Sequence, residues 1–532
     1  RRVVENCIYG IDINPLAVML AKLSLWLISA SNDKALSFID HHLKVGNSII
    51  GTDRHHVKVK NEKYPIFEVS YENYMDSVMK KYKELKKTGS ATREDVKKQQ
   101  EIHDEINQML ELVKKKYDCY LASLYAGGIQ DEIKFSNILR SKNMNDFQTE
   151  EMEPLWKIAE EKKFFHWELE FPEVFLKGGF DIAIGNPPYV DVSVNNYERL
   201  YLRSQKSNNL YCYMIEKGIT NIKIDGFFGY IVPLSSICTD RMISFQEFLK
   251  NQGIDLKVTN FGRRPSRIFT SADIATTIMF GKKTGKSFKL FTSKYIKFYK
   301  EERKKLFNYI DFAEGTPSIV KGSFPKFDNY LANEIVKKIM IKGKPISHYF
   351  IYSKMDFFLI YKNASDRYYN TTLNFIPIYR KNGVDVLSST SVMRYFKDAI
   401  DRDIVCAIFN SNLFYWFYMA YSDCYHLVPR EINMFKFDID LLNDSIKKKL
   451  LDLCVRLMDD YIQKSKINII NYTSGTVEQQ QFYPKYSKHI IDDIDKVLAE
   501  YYGFTEEELD FIINYDIRFR MGDDEGEESN EE

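Results

Sequence analysis

Phe180 to Ile184 is a short, mostly apolar run that passes directly into Gly185-Asn186-Pro187-Pro188-Tyr189. Consecutive prolines offer no backbone N–H and hold φ near about −65°, so neither a central strand nor a helix continues through them. The run reads as a strand that stops abruptly. Its tetrapeptide is thereby expected at a strand's carboxyl edge, the place where open α/β sheets receive ligands.

Those four side chains suit one kind of chemistry. An exocyclic amino group on adenine or cytosine is a poor nucleophile, because its lone pair is delocalised into the ring. An Asn side-chain oxygen and a proline carbonyl can accept its two N–H bonds and favour the tetrahedral amine. Asn186 and Pro187 are the expected acceptors, Pro188 removes a competing donor, and Tyr189 offers a face for a base swung out of a duplex. A base of raised pKa is not required, since the methylated amine can release its proton to water. The competing reading is a rigid turn that merely closes a strand.

Upstream, Asn6 to Ile13 reads as a short buried strand. Asn14-Pro15 follows as a helix start, with a capping side chain and then proline at the first helical position. Val18, Leu20, Leu23, Leu25 and Leu27 continue an apolar helix. Leu43 to Val45 is a second strand ending at Gly46-Asn47-Ser48. From Tyr71 apolar residues fall at helical spacing (Tyr74, Val78, Tyr82, Leu85, then Ile102, Ile106, Met109, Val113, Tyr117, Tyr120, Leu124), broken at Thr88-Gly89-Ser90. Thr92 with Asp95 resembles a capping box. This predicts a Lys- and Glu-rich, solvated helical insertion over about residues 60 to 163. After Tyr189 come a helix near Leu210 to Ile224 and strands at Gly229 to Val232, Leu256 to Phe261 and Ala275 to Phe280. The alternation implies a doubly wound, Rossmann-like α/β sheet.

Beyond about Lys286 the alternation gives way to Tyr- and Phe-rich segments punctuated by Gly315-Thr316-Pro317, Gly343-Lys344-Pro345 and Asn382-Gly383. An α+β domain is expected over 284 to 475, helices over 476 to 518 (Ile490 to Tyr502 and Thr505 to Ile513), and a disordered acidic tail over 519 to 532. With 532 residues, 44% of them hydrophobic, the chain is long enough for several domains. Seven of the last ten residues are acidic, so the body carries about +8. An excess of that size neither requires nor excludes nucleic acid. The seven cysteines are scattered and never spaced Cys-x-x-Cys, against a disulfide framework or a zinc ribbon. His41-His42 and His55-His56 suggest no third ligand, and adjacent strand residues face opposite ways, so no metal is expected. Without an apolar run long enough to span a bilayer or a signal peptide, a cytoplasmic protein is expected.

Three further stretches accompany the tetrapeptide: Ile8-Tyr9-Gly10-Ile11-Asp12-Ile13-Asn14-Pro15-Leu16-Ala17-Val18, Asp40-His41-His42-Leu43-Lys44-Val45-Gly46-Asn47-Ser48, and Phe165-His166-Trp167-Glu168 with Phe171-Pro172-Glu173-Val174-Phe175. Together with Asn186-Pro187-Pro188-Tyr189 they resemble type IIG restriction-modification DNA methylases and related phage-defence methylases. The likeness is dense over residues 1 to 56 and 164 to 282. It implies S-adenosylmethionine as methyl donor, adenine N6 as acceptor, double-stranded DNA as partner, and a target-recognition domain after the sheet, so that 1 to 283 would be the methyltransferase domain. Asp12 then corresponds to the acidic residue on the cofactor ribose and Ile13 to the apolar contact on its adenine. Asn47, with Ser48 beside it, stands where the family often has Asp facing the adenine amine. Phe269, in Ile268-Phe269-Thr270-Ser271, corresponds to the aromatic that sandwiches the flipped base against Tyr189, with a core phenylalanine as the other reading. Arg263, Arg264 and Arg267, with Lys294 and Lys297 among Tyr295, Phe298 and Tyr299, are the basic candidates for DNA contact; a solvated face is the alternative.

The family's glycine-rich cofactor loop has no counterpart here, since no Gly-x-Gly occurs. An upstream segment or second subunit is expected to supply it and, in the family, a nuclease. Two other functions stay open: a catalytically silent DNA-recognition subunit with a methylase-like body, and a cytosine-N4 or protein-glutamine methyltransferase using the same tetrapeptide.

Overall fold

The computed structural model describes residues 2–29, 39, 41–54, 56, 68–88, 92–127, 137–139, 141–192, 202–364, 371–473 and 475–521, with backbone only for 68–74. His55, the break at Gly89-Ser90 and the acidic residues after Met521 lie outside them. Contacts divide the chain into two units, Arg1–Phe228 with Lys282–Gly285, and Gly229–Gly281 with Lys286–Glu532. This grouping does not coincide with the boundary expected near residue 283.

In the first unit, helix α1 (Arg2–Cys7) occupies residues expected to begin a strand; the Asn6 amide donates to the Arg2 carbonyl one turn back, and Val4 is buried. Strand β1 (Gly10–Asp12) is shorter than expected and half-buried to exposed rather than buried. It pairs in parallel with β2 (Leu43–Val45), Asp12 opposite Val45. Between them runs α2 (Pro15–Ser29), entered as the sequence indicates: Asn14 Oδ1 accepts the Leu16 amide at 3.0 Å. Its apolar surface is poorly covered. Val18 is buried, but Leu16, Met19, Leu20, Leu23, Leu27 and Ile28 are exposed. His41 and His42 precede β2 in a turn instead of alternating along it, so their rings lie together, 3.9 Å apart, both buried.

Helices α3 (Glu68–Lys87) and α4 (Arg93–Tyr125) form the inserted pair. The expected capping box is present, Thr92 Oγ1 accepting from Asp95 N and Asp95 returning the bond to Thr92 N. Helical spacing places Met75, Val78, Tyr82 and Leu85 against Ile102, Ile106, Leu110, Tyr117 and Tyr120 in one core cluster, joined by Leu139, Phe147, Met152 and Leu169. The insertion is thus not simply solvated: from Lys116 to Ser123 every residue of α4 is buried. Strand β3 (Phe180–Gly185) forms where expected and neighbours β4 (Ile222–Pro233), which begins in this unit. Ile182 and Ile184 of β3 are exposed.

The second unit contains the rest of β4 and, in the order β4-β6-β5-β7-β8, strands β5 (Ile254–Phe261), β6 (Thr276–Lys283, all but its last two residues), β7 (Lys289–Ile296) and β8 (Ala313–Glu314). β5 and β7 are parallel and β7 and β8 antiparallel, so the sheet is mixed. Farther along, β9 (Phe357–Lys362) pairs with β12 (Ser391–Phe396), and β10 (Tyr379–Lys381), β11 (Val384–Asp385), β13 (Lys466–Tyr472) and β14 (Gly475–Gln481) form a sheet in the order β11-β10-β14-β13. Residues 476 to 481, expected in helices, belong to β14, where Thr476 to Gln481 continue the pairing with β13. The closing helices are Lys488–Tyr502 and Glu506–Asn514, followed by a short turn of helix at Ile517–Arg520. No helix among the described residues is long and apolar enough to cross a membrane. All seven cysteines are free thiols.

Candidate active site

Parallel pairing puts the carboxyl ends of β1 and β2 side by side, where the Gly46 amide donates to the Asp12 carbonyl at 3.0 Å. Asp12 is exposed, and its Oδ1 accepts the Asn14 amide at 2.8 Å. Ile13 is exposed beside it. Asn47 and Ser48 are half-buried. The Asn47 side-chain oxygen accepts from the Ile49 amide at 3.1 Å and from the Ile50 amide at 3.4 Å, closing a local turn. An exposed carboxylate and a half-buried carboxamide thus stand at the ends of two neighbouring parallel strands.

Asn186, Pro187, Pro188 and Tyr189 directly follow β3. Pro187 is buried, Asn186 and Pro188 are exposed, and Tyr189 is half-buried. The Tyr189 ring meets the buried Tyr211 edge-on, centroids 6.2 Å apart and planes at 84°. Downstream the chain is pinned by Leu210 N to Val190 O at 3.0 Å, Val192 N to Asn208 O at 3.1 Å, and the Asn209 amide to Asp191 at 2.7 Å. Burial pushes the Tyr189 phenol up to about 12, so it stays neutral at physiological pH.

Residues to which the sequence assigned no task surround the strand ends. Lys163 adopts a left-handed conformation (φ 52°), reaches the Ile13 carbonyl with its ammonium at 2.9 Å, and accepts the Asn47 amide on its own carbonyl at 2.8 Å. His166 Nδ1 accepts the Thr52 amide at 3.0 Å, Glu168 accepts the Arg54 amide at 2.7 Å, and the Trp167 indole donates to the Ser48 carbonyl at 2.9 Å. A polar residue at every second position, His166, Glu168 and Glu170, was the available signal.

Phe269 and the basic candidates belong to the second unit. Phe269 is half-buried in a loop braced by Arg303, whose guanidinium donates to the Ile268 carbonyl at 2.9 Å and to the Arg267 carbonyl. Arg263 lies over the Tyr425 ring at 4.1 Å. Arg264 makes a two-pronged pair with Asp273 at 2.8 and 3.1 Å, and Arg267 joins it at 3.3 Å. Lys294 pairs with Asp328 at 3.0 Å. Lys297 is withdrawn from solvent, its ammonium 2.5 Å from Asp516 and 3.1 Å from the Tyr415 hydroxyl. With Arg263, Arg264, Asp273, Tyr295 and Tyr425 it lines a cavity of about 180 Å³.

Residues 6–269 match the model of the Eco57I restriction-modification methylase family. That part of the chain belongs to this family. Among curated proteins, a candidate type II restriction enzyme and methyltransferase of Methanocaldococcus jannaschii is 25% identical over 267 residues (44% of this chain, 22% of the relative). The type II restriction enzyme and methyltransferase RM.Eco57I of Escherichia coli is 29% identical over 110 residues (19% of this chain, 11% of the relative). The chain thus matches less than a quarter of either relative's length. Among solved structures, the type IIL restriction-modification enzyme MmeI in complex with DNA aligns over 86% of this chain and 77% of its own at 10% identity, with a TM-score of 0.38. The type ISP enzyme LlaGI aligns over 65% and 49% at 11% identity and a TM-score of 0.31.

Proposed function

We propose that this chain is the catalytic and target-recognising portion of a site-specific DNA methyltransferase that modifies adenine N6 within a restriction-modification or related phage-defence system. The observation that carries this reading is Asn186-Pro187-Pro188-Tyr189 at the carboxyl end of β3, in a chain whose residues 6–269 match a restriction-modification methylase family. S-adenosylmethionine, when bound, supplies an electrophilic methyl group on its sulfonium. Asp12 holds the ribose hydroxyls, Ile13 lies against the purine, and Asn47 with Ser48 meets the purine edge. Asn186 and the Pro187 carbonyl accept the two N–H bonds of the target amine and free its lone pair, while Pro188 adds no donor. Tyr189, backed by Tyr211, stacks on the extruded base.

The rest of the reading follows the same lines. The methyltransferase domain, 1 to 283, is doubly wound and Rossmann-like, and 284 to 475 choose the DNA sequence. Arg263, Arg264, Arg267 and Lys294 serve phosphate contact, and Lys297 supports them from the cavity wall through Asp516 and Tyr415. An upstream segment or second subunit, carrying the glycine-rich loop and in some relatives a nuclease, completes the cofactor pocket. The bare apolar faces of α2 and β3 support that partner, because an apolar helix needs cover. A cytoplasmic setting accords with seven free thiols.

One observation favours the silent DNA-recognition subunit instead: the Asn47 oxygen is already engaged in its own turn. Methyl transfer from labelled S-adenosylmethionine to duplex DNA, with identification of the modified base, separates these readings and also separates adenine from cytosine.

A further inference from the structure

Loop Gly46–Arg54 follows β2 and carries Asn47 and Ser48. Five of its residues are bonded to the stretch Lys163–Glu168: Asn47 N to Lys163 O at 2.8 Å, Ser48 O from the Trp167 indole at 2.9 Å, Ile50 O from Phe165 N at 2.8 Å, Thr52 N to His166 Nδ1 at 3.0 Å, and Arg54 N to Glu168 at 2.7 Å. The two segments run so close that a Cβ on Gly51 would sit 1.9 Å from the Phe165 carbonyl oxygen, and one on Gly46 would sit 2.6 Å from the Phe165 ring. Through Lys163 the same stretch also holds the Ile13 carbonyl.

Behind this stretch stands the inserted helix α4. Lys114, Tyr117 and Asp118 are three and four residues apart and share one helical face. Asp118 Oδ1 lies 3.0 Å from His166 Nε2, the Tyr117 hydroxyl donates to Glu168 at 2.6 Å, and Lys114 pairs with Glu170. With His166 Nδ1 turned to the backbone of Thr52, its Nε2 is the nitrogen that donates to Asp118. Asp118 thereby orients the imidazole, and the imidazole holds the loop. His166 is fully buried, so the ring has no water to substitute for either bond.

We infer that the inserted helix α4 is a positioning element for the cofactor loop, with Asp118 acting through His166 and Tyr117 acting through Glu168 to set the Asn47-bearing loop. This rests on the methyltransferase reading only for the identity of the ligand; the mechanical link is independent of it.

The test uses the complete enzyme and three variants: Asp118→Ala, which loses the acceptor; Asp118→Asn, which keeps an acceptor oxygen; and Tyr117→Phe, which keeps the ring and loses one hydroxyl. Amide exchange is followed at Thr52 and Arg54 without ligand, and S-adenosylmethionine is titrated by calorimetry. Asp118→Ala should speed exchange at Thr52, and Tyr117→Phe at Arg54, by about tenfold, with no comparable change in the α3/α4 core. Cofactor affinity should fall about tenfold while kcat at saturating cofactor stays within about twofold, and Asp118→Asn should restore both readouts. If Asp118→Ala does not fold, Tyr117→Phe decides alone. Unchanged loop exchange in the folded variants, or Asp118→Asn as impaired as Asp118→Ala, overturns the positioning role. A wild-type enzyme that binds no S-adenosylmethionine while its loop exchange responds as described overturns the cofactor assignment and leaves the positioning role supported.

Discussion

The Gly46 amide donates to the Asp12 carbonyl at 3.0 Å, so two strand ends separated by more than thirty residues of chain present their polar side chains together. Asp12 has two tasks there, one in the turn and one proposed on the ribose. Asp12→Asn keeps an acceptor for the Asn14 amide and loses the charge. It should melt within a few degrees of wild type while weakening S-adenosylmethionine binding by about ten- to a hundredfold, the loss expected for a charge-assisted hydrogen bond. Calorimetry alongside a thermal melt checks both halves.

Gly46 and Gly51 both face Phe165, but against different obstacles. A methyl at Gly46 meets a ring that can shift, whereas at Gly51 it meets a backbone carbonyl. Gly46→Ala should cost about 1–3 kcal/mol and Gly51→Ala clearly more. Urea unfolding of the two variants ranks them, and equal stability would show that the loop is held more loosely than the contacts indicate.

Glu170 is half-buried, and desolvation alone would raise its pKa, yet the ammonium groups of Lys44 and Lys114 together hold it down to about 2. A depressed carboxylate contributes stability that is complete above its unfolded value near about 4.3 and is lost as pH falls toward 2. Unfolding followed from pH 5 to pH 2 should show a loss in wild type that is smaller in Glu170→Gln.

Asp495 has the opposite sign. Burial raises its carboxyl to about 7, against the hydrogen bonds from the amides of Leu413 and Asn412 at the start of the helix Asn412–Tyr421. Below about pH 4 both folded and unfolded forms carry the proton; between about 4 and 7 only the folded form keeps it, so stability declines as pH rises through that window. Asp495→Asn should be less stable at pH 4, having lost an acceptor, and should lack this decline. Chemical unfolding at pH 4, 5.5 and 7 gives the comparison.

Local signals reported the elements they physically determine. Asn14-Pro15, the Thr92–Asp95 box and the prolines after Ile184 act within a few residues, and each boundary lies where those residues place it. What depended on distant partners was not legible. The apolar residues of α2 gave a helix but not the exposure of Leu20, Leu23 and Leu27, because periodicity does not say what covers a face. Lys114 and Asp118 read as polar positions on a solvated helix and Tyr117 as one of its apolar series; their pairing with Glu170, His166 and Glu168 depends on a stretch about fifty residues away. Lys297 stood in a basic, aromatic-rich stretch suited to DNA, and its burial depends on Asp516, more than two hundred residues away. For the site itself, Asp12, Asn47 and Asn186 were visible as polar residues ending strands, whereas the brace from Lys163 to Glu168 became visible only in three dimensions.

Methyl transfer to duplex DNA by the complete enzyme, with and without Asn186→Ala, bears most directly on the function. Removing one of the two acceptors that free the amine should lower kcat by about 10²–10³-fold while S-adenosylmethionine binding stays within about twofold, and the wild-type product should be N6-methyladenine. Transfer that persists undiminished in Asn186→Ala, or a wild-type enzyme that binds DNA and modifies no base, would contradict it.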